Sequence, residues 1–161
     1  MHTEMISGTD ELAELFSVFH DGVITKASSV DQDLLLTVRI SYLAQRIAPN
    51  FTTFNVRLHQ VDGMSFATWP KDSAVVPEVL REVSAIFDPP LDILSGESAD
   101  GYVQVVCNQP SSQTPHCGGT LSLRATSATV SDQNSKHYSL AELAALARAY
   151  WDEWSERNSK R

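Results

Sequence analysis

The chain has 161 residues, of which 42% are hydrophobic and 20% charged, and its formal net charge is −8. This length suits one domain that buries about two-thirds of the surface of its unfolded chain, and no apolar run approaches the roughly 20 residues of a membrane-spanning helix. Nucleic-acid phosphates demand clusters of Lys and Arg, and the only dense basic stretch is the tail at 157–161. Composition therefore predicts a globular protein with neither a nucleic-acid nor a membrane partner.

The first residues, from Met1 to Met5, lack the basic segment and apolar core of a secretory signal peptide. We therefore predict a cytoplasmic protein. Cys107 and Cys117 are the only cysteines. A disulfide across the short loop between them is geometrically possible, but cytoplasmic thiols are usually kept reduced. The predicted compartment thus favours two free thiols.

The N-terminal part of the chain predicts a short amphipathic helix. Thr9 is a suitable cap, Asp10 and Glu11 fall in the first turn, where the helix dipole favours anions, and Gly22 ends the helical pattern. Residues before this helix show no periodicity, so 1–8 are expected to be loose. The apolar stripe of the helix is formed by Leu12, Leu15, Phe16 and Phe19.

Alternating apolar and polar residues predict four strands after this helix. A polar turn connects the first two strands. Asp62-Gly63 is a strong hairpin signal, which predicts a tight turn between the last two. Pro70 ends the fourth strand, because proline cannot donate to a strand ladder. The four strands are expected at residues 23–28, 34–40, 53–59 and 64–69.

The C-terminal part predicts a middle helix, three strands and the longest helix. Pro77 suits a first helical turn, and apolar residues at helical spacing follow it until Pro89 stops the helix. Asp100-Gly101 is expected in the loop of a hairpin. A capping box formed by Ser139 and Glu142 opens the C-terminal helix. The three strands are expected at 91–95, 102–108 and 120–130, the last with a bend near Ser127.

This order of elements predicts an α+β fold built on one mostly antiparallel sheet. We expect about seven strands, an N-terminal helix, a middle helix and a long C-terminal helix. The sequence has no internal repeat and no linker that would divide it. Residues 1–161 are therefore predicted to form a single domain whose ends, 1–8 and 157–161, are loose.

The tetrapeptide Phe19-His20-Asp21-Gly22 joins the first helix to the first strand, and only here are an imidazole and a carboxylate adjacent in the chain. In a structural interpretation, the two polar side chains bond to backbone groups and Phe19 anchors the core. In a chemical interpretation, His20 is a general base in a cleft, assisted by a distant carboxylate or by His59. The structural interpretation is favoured, because successive side chains diverge and Asp21 is a poor partner for its neighbour.

No other pattern indicates chemistry. Cys107, His116 and Cys117 do not match a structural zinc site, which needs four ligands in closely spaced pairs. The sequence also lacks a nucleophile elbow, a phosphate-binding loop and a dinucleotide fingerprint. We therefore predict no catalytic residue, no metal and no cofactor.

Residues 15–40 resemble the opening of small bacterial β-rich domains that begin with a helix running into Phe-His-Asp-Gly or Phe-His-Asp-Ala. In those domains the motif leads into a strand, a turn and an alternating strand. Here the tetrapeptide at 19–22, the turn at 31–33 and the strand at 34–40 stand in those places. Some of the domains are assigned as immunity proteins of polymorphic toxin systems. The resemblance implies a β-rich fold and carries over no catalytic residue.

The leading functional hypothesis is a non-enzymatic domain that binds another protein, as an immunity-type inhibitor whose acidic surface docks on a basic toxin. A first alternative is a small enzyme or ligand-binding domain that uses His20 in a cleft. A second is a homo-oligomer, such as a homodimer, that buries aromatic surface of the last helix. The expected partner contacts on that helix are Trp151, Asp152, Glu153 and Trp154.

Overall fold

The computed structural model describes residues 5–159. No helix in this range is both long and apolar enough to cross a membrane. The helices are α1 (Thr9–Val18), α2 (Ser41–Ala44), α3 (Val83–Ile86) and α4 (Leu140–Ser159). The strands are β1 (Met5–Ser7), β2 (Val23–Val30), β3 (Asp33–Arg39), β4 (Thr53–His59), β5 (Asp62–Pro70), β6 (Val79–Leu80), β7 (Leu91–Ala99), β8 (Tyr102–Asn108), β9 (His116–Arg124), β10 (Ser127–Ser131) and β11 (His137–Tyr138).

The strands form one sheet of 11 strands in the order β1-β10-β4-β3-β2-β7-β8-β9-β5-β6, with β11 paired to β10. Every pairing is antiparallel. The predicted α+β fold, the antiparallel sheet and the long C-terminal helix are confirmed, and the N-terminal helix is short. The predicted number of about seven strands is wrong, because β1, β6 and β11 are too short to show alternation. In addition, the strand expected at 120–130 is two strands.

Strands near one end of this order continue directly into strands near the other end, which curls the sheet and gives it an inner and an outer face. β4 and β5 are separated only by Gln60 and Val61, and β9 and β10 only by Ala125 and Thr126. β4 pairs with β10 and β5 pairs with β9, so the four strands form one bent antiparallel ladder. At the bend, the amide of Thr126 donates to the carbonyl of His59 at 2.9 Å. The inner face carries the apolar core.

The hairpin predicted at Asp62-Gly63 is wrong. β4 pairs with β3 and β10, whereas β5 pairs with β9 and β6. The two residues begin β5, where the register with β9 shifts between Asp62 and Ser65 and Gly63 has a φ of 62°. A glycine with positive φ occurs both in tight turns and at strand irregularities. The Asp-Gly pair alone therefore does not distinguish a hairpin turn from an irregular strand start. The hairpin expected around Asp100-Gly101 is confirmed, since β7 pairs with β8 across it.

The middle helix predicted from Pro77 onward is confirmed only over its last part. This segment forms the short strand β6 and then α3, a helix of 4 residues. Thr68 on β5 holds the segment at the sheet edge, because its hydroxyl accepts from the amide of Glu78 at 2.8 Å and its own amide donates to the Glu78 carbonyl at 2.9 Å. Val79 is 56% exposed. The apolar spacing of the segment therefore does not correspond to one buried helix face.

The chain ends differ from the loose segments predicted at 1–8 and 157–161. Met5–Ser7 form β1, which pairs with β10, and the side chain of Ile6 is completely buried. α4 continues to Ser159. A strand of 3 residues is too short for alternation to be visible in the sequence. Residues 1–4 and 160–161 lie outside the described residues.

α1 lies on the inner face of the sheet, against β7 and β8. Gly96 on β7 permits this close approach, because a Cβ atom there would collide with the carbonyl oxygen of Ala13 and lie 2.8 Å from Cβ of Phe16. The hydroxyl of Ser17 donates to the carbonyl of Gly96 at 2.9 Å and accepts from its amide at 3.1 Å. The core around α1 includes Leu12, Leu15, Phe19, Val38, Phe54, Leu58, Phe66, Val105 and Leu121.

Both cysteines are free, in agreement with the reduced thiols that the sequence favours. Cys107 is buried on β8, and desolvation, together with the charge of Asp92, raises the pKa of its thiol to about 12. Cys117 is exposed on β9. Because the thiolate is the nucleophile, Cys107 is an inert core residue at neutral pH.

Candidate functional site

Backbone hydrogen bonds to β7 hold the Phe19-His20-Asp21-Gly22 corner. The amide of Asp21 donates to the carbonyl of Ile93 at 2.8 Å, and the amide of Ile93 donates to the carbonyl of Gly22 at 2.8 Å. The amide of Gly22 closes the turn on the Phe19 carbonyl at 2.9 Å. A Cβ atom at position 22 would lie 2.8 Å from that carbonyl oxygen, so the turn requires glycine. The tetrapeptide thus sets how α1 meets the sheet.

The side chain of His20 lies between α1 and α4. Its Nδ1 is 2.8 Å from the carbonyl oxygen of Ser17, and because a carbonyl only accepts, Nδ1 carries a hydrogen. The imidazole stacks on Trp151, with 5.3 Å between ring centroids and 18° between planes. The carbonyl of His20 accepts from the hydroxyl of Tyr42 at 2.9 Å. Within residues 5–159 no carboxylate bonds to this imidazole, and its contacts favour the structural interpretation.

We expect His20→Ala to lower the free energy of unfolding by about 1–2 kcal/mol, the range for losing a hydrogen bond and an aromatic contact. His20→Phe keeps the stacking surface on Trp151 and loses only the bond to Ser17, so it should recover part of the loss. Urea denaturation measures both variants. An unchanged unfolding curve for His20→Ala, accompanied by loss of a binding activity, would assign His20 a functional role instead.

His59, the partner considered for His20 in a catalytic cleft, lies elsewhere. It is the last residue of β4, at the end of the strand that is farther from the α1 corner. Its Nδ1 is 3.4 Å from Oδ2 of Asp33. The contacts of His20 are with Ser17, Tyr42 and Trp151. The structure therefore does not bring the two histidines together.

The corner and the predicted contact residues of α4 meet in an aromatic cluster. Its closest ring pair is Tyr42–Tyr150, with centroids 4.5 Å apart, and Trp151 and Trp154 are 5.9 Å apart. Burial is the main reason that the pKa of Tyr42 is raised to about 12. Its hydroxyl therefore stays protonated at neutral pH and keeps its bond to the His20 carbonyl. The cluster consists of His20, Tyr42, Tyr150, Trp151 and Trp154.

The last turns of α4 are exposed to solvent. Residues 152–159, which we define as the α4 tip, are all exposed. Trp154 continues the stripe of Leu143 and Ala147, the buried residues of the helix, but it is itself 47% exposed. The core-facing side of α4 thus extends one turn farther than the surface that covers it.

The two carboxylates predicted as partner contacts have different surroundings. Oε2 of Glu153 forms an ion pair with Nη2 of Arg46 at 2.7 Å, which ties α4 to the segment after α2. Asp152 is exposed and makes no hydrogen bond or ion pair with the described part of the chain. Asp152 is therefore free to meet a charged partner, whereas Glu153 also anchors the helix.

A groove of about 780 Å³ lies on the outer face of the sheet, and we define it as the sheet groove. Its floor is formed by β2, β3, β4 and β10, with β11 at one end, and its wall by α3 and residues 87–90. Concave sites for small molecules typically measure about 300–1,000 Å³. The sequence analysis missed this site, because the alternating polar residues of its floor look like any solvated strand face.

Strand register gathers polar side chains on the floor of the groove. Thr37 pairs with Lys26 on one side and with Asn55 on the other, and Asn55 pairs in turn with Ser131. His137 on β11 pairs with Ser131 and extends the row. Five strands, far apart in sequence, thus contribute to one polar row across the sheet.

Arg57 occupies the neighbouring row of the floor, where it pairs with Leu35 and Thr129. Its Nε donates to Oδ2 of Asp33 at 2.7 Å. The pKa of Asp33 is held below its ordinary value, first by the hydrogen bond from the amide of Gln60 and then by Arg57. Asp33 is therefore ionised at neutral pH and positions the guanidinium group of Arg57 over the groove.

No group of three or more His, Cys, Asp or Glu side chains in residues 5–159 is placed to hold a metal ion. Comparisons with protein-family models, with curated proteins and with solved structures found no match to this chain. The two candidate functional surfaces are therefore the α4 tip with its aromatic cluster and the sheet groove.

Proposed function

We propose that the protein is a non-enzymatic, cytoplasmic domain that binds another protein, as an immunity-type inhibitor of a basic toxin. The observation that carries this proposal is Trp154, a large aromatic side chain that is 47% exposed at the end of a helix. Tryptophan is enriched among the few residues that dominate protein–protein binding. The resemblance of residues 15–40 to the opening of immunity domains supports a toxin as the class of partner.

Charge supports a basic partner. The net charge is −8, and α1, which contacts α4, exposes Asp10, Glu11 and Glu14 and contains no basic residue. Asp152 adds an unpaired carboxylate on the α4 tip. Such a surface attracts and orients a basic protein before contact, which raises the association rate more than it slows dissociation.

Trp154→Ala tests the α4 tip, and Trp69→Ala is its matched control. The two indoles are comparably exposed, at 47% and 37%, but Trp69 lies on β5 and not on a helix. Wild-type protein is first used to capture its partner from the cells that encode it, and the partner is purified. The affinity of this partner for each variant is then measured. We expect Trp154→Ala to weaken binding at least about tenfold and Trp69→Ala to leave it unchanged.

Asp152→Lys tests the electrostatic part with the same partner. Stopped-flow association should slow several-fold while dissociation changes little, and added salt should reduce the difference because it screens exposed charges beyond about 8 Å. The proposal would be contradicted if the two tryptophan variants lost binding affinity equally, or if the partner were acidic. Self-association that Trp154→Ala abolishes would show that the α4 tip is a homodimer contact instead.

A further inference from the structure

We propose that the sheet groove binds a small organic anion, whose charged headgroup lies over β3 between Lys26 and Arg57 and whose apolar body lies against α3. This site is on the sheet and shares no residue with the α4 tip. The proposal therefore stands independently of the protein-binding function.

Two cations of the groove floor have donors that the protein does not use. Lys26 is exposed and makes no hydrogen bond or ion pair within residues 5–159. Arg57 bonds to Asp33 through Nε alone, which leaves the terminal nitrogens of its guanidinium group available. β2 and β4 flank β3 at about 4.8 Å per strand, so both long side chains reach the space above β3. Two cations on either side of β3 are suited to recognise a carboxylate or a phosphate.

The groove differs in charge from the rest of the molecule. Although the net charge is −8, the only carboxylate that lines the groove is Asp88, which lies on the wall and not on the floor. Thr37 and Asn55, between the two cations, use none of their side-chain hydrogen-bonding groups within the described part of the chain. An anion over β3 would therefore meet Lys26, neutral donors and the free terminal nitrogens of Arg57, whose charge is partly balanced by Asp33 from outside the groove lining.

Apart from Ser84 and Asp88, the wall of the groove is apolar. It includes Val83 and Phe87 from the α3 turn and Pro90, and Leu35 lies beside Arg57 on the floor. A few polar groups converging beside an apolar wall is the usual lining of a small-molecule site. A simple ion such as phosphate would leave this wall unused, so the lining favours an anion that carries an apolar body.

Anilinonaphthalene sulfonate, an aromatic anion that fluoresces when bound, is the probe. We expect saturable binding that weakens with salt, and a loss of affinity of about tenfold for Lys26→Gln and for Arg57→Gln, because each removes a charged hydrogen bond. Arg124→Gln is the matched control. Arg124 forms the same Nε ion pair with Asp62, also at 2.7 Å, but it does not line the groove. Circular dichroism verifies that each variant is folded.

Competition identifies the headgroup. Octanoate and octyl phosphate should displace the probe from wild type, and the stronger of the two distinguishes a carboxylate from a phosphate ligand. Octanol at the same concentration should displace much less. Three results would each overturn the proposal. The first is an equal loss of probe affinity in Arg124→Gln and Arg57→Gln, and the second is an unchanged probe affinity in Lys26→Gln. The third is displacement of the probe by octanol that is as strong as displacement by the anions.

Discussion

Phe19→Ala is expected to lower the free energy of unfolding by about 3–5 kcal/mol, the range for emptying a buried aromatic position. The side chain of Phe19 is completely buried, and its ring stacks on Phe54 with 5.5 Å between centroids and 28° between planes. Typical domains are stable by about 5–15 kcal/mol. The substitution therefore removes a large share of the total, because it empties the point where α1 turns into the sheet.

Urea denaturation of three variants separates this effect from surface changes. Phe19→Leu keeps most of the apolar volume and should cost less than half as much as the alanine variant, by analogy with core substitutions that conserve volume. Val30→Ala, at an exposed position on β2, should change stability by no more than about 0.5 kcal/mol. A loss for Phe19→Ala as small as that for Val30→Ala would mean that the corner does not anchor α1.

Sequence signals predicted the structure well where the interacting groups are a few residues apart. The capping box is an example: the amide of Glu142 donates to Oγ of Ser139 at 3.1 Å, and the amide of Ser139 donates to Oε1 of Glu142 at 3.0 Å. α4 begins between them, as predicted. Both partners of each bond lie within one helical turn, so the sequence alone contains the information.

Predictions failed where strand pairing decides the conformation. Asp62-Gly63 begins a strand because β5 pairs with β9, a strand far along the chain in which Arg124 is the partner of Asp62. The segment after Pro77 becomes a sheet edge because Thr68 binds Glu78 through its hydroxyl and its backbone. In both cases a partner on another strand overrides the local preference, as is common for strands.

The same distinction applies to the candidate sites. His20 and Trp151 are separate candidates in the sequence, and only the fold stacks one ring on the other. The sheet groove is harder to predict still. Lys26 and Arg57 come together only because β2 and β4 both pair with β3 in a particular register. A shift of one residue would turn the alternating side chains to the opposite face, and no local pattern specifies that register.

The second large effect is expected at Asp132, which is 3% exposed in the loop between β10 and β11. Its Oδ2 accepts from the hydroxyl of Tyr138 at 2.7 Å, and its Oδ1 accepts from the amides of Asn134 at 2.8 Å and Lys136 at 3.1 Å. Asp132→Ala leaves these donors unpaired and should cost about 3–4 kcal/mol. Tyr138→Phe removes one donor only and should cost about 1.5 kcal/mol.

The effect of Asp132 should also depend on pH. Burial by itself would raise the pKa of this carboxyl, but the hydrogen bonds from Tyr138 and from the amides of Lys136 and Asn134 outweigh burial and hold the pKa below its ordinary value. The folded state therefore binds the proton less tightly than the unfolded state, whose pKa is about 4. The stabilisation is fully present above about pH 4 and is lost as the pH falls below that value.

Asp132→Asn removes this titration, so its stability should fall less steeply than that of wild type below about pH 4. Urea midpoints measured across the acid range test this, with Asp31→Asn on an exposed turn as the control that keeps the wild-type slope. Parallel curves for wild type and Asp132→Asn would contradict the assignment.

The loop that Asp132 holds leads directly into His137 at the end of the sheet groove and into the capping box of α4. Asp132→Ala should therefore weaken binding of anilinonaphthalene sulfonate in the groove as well as stability, whereas Phe19→Ala, on the inner face, should lower stability alone.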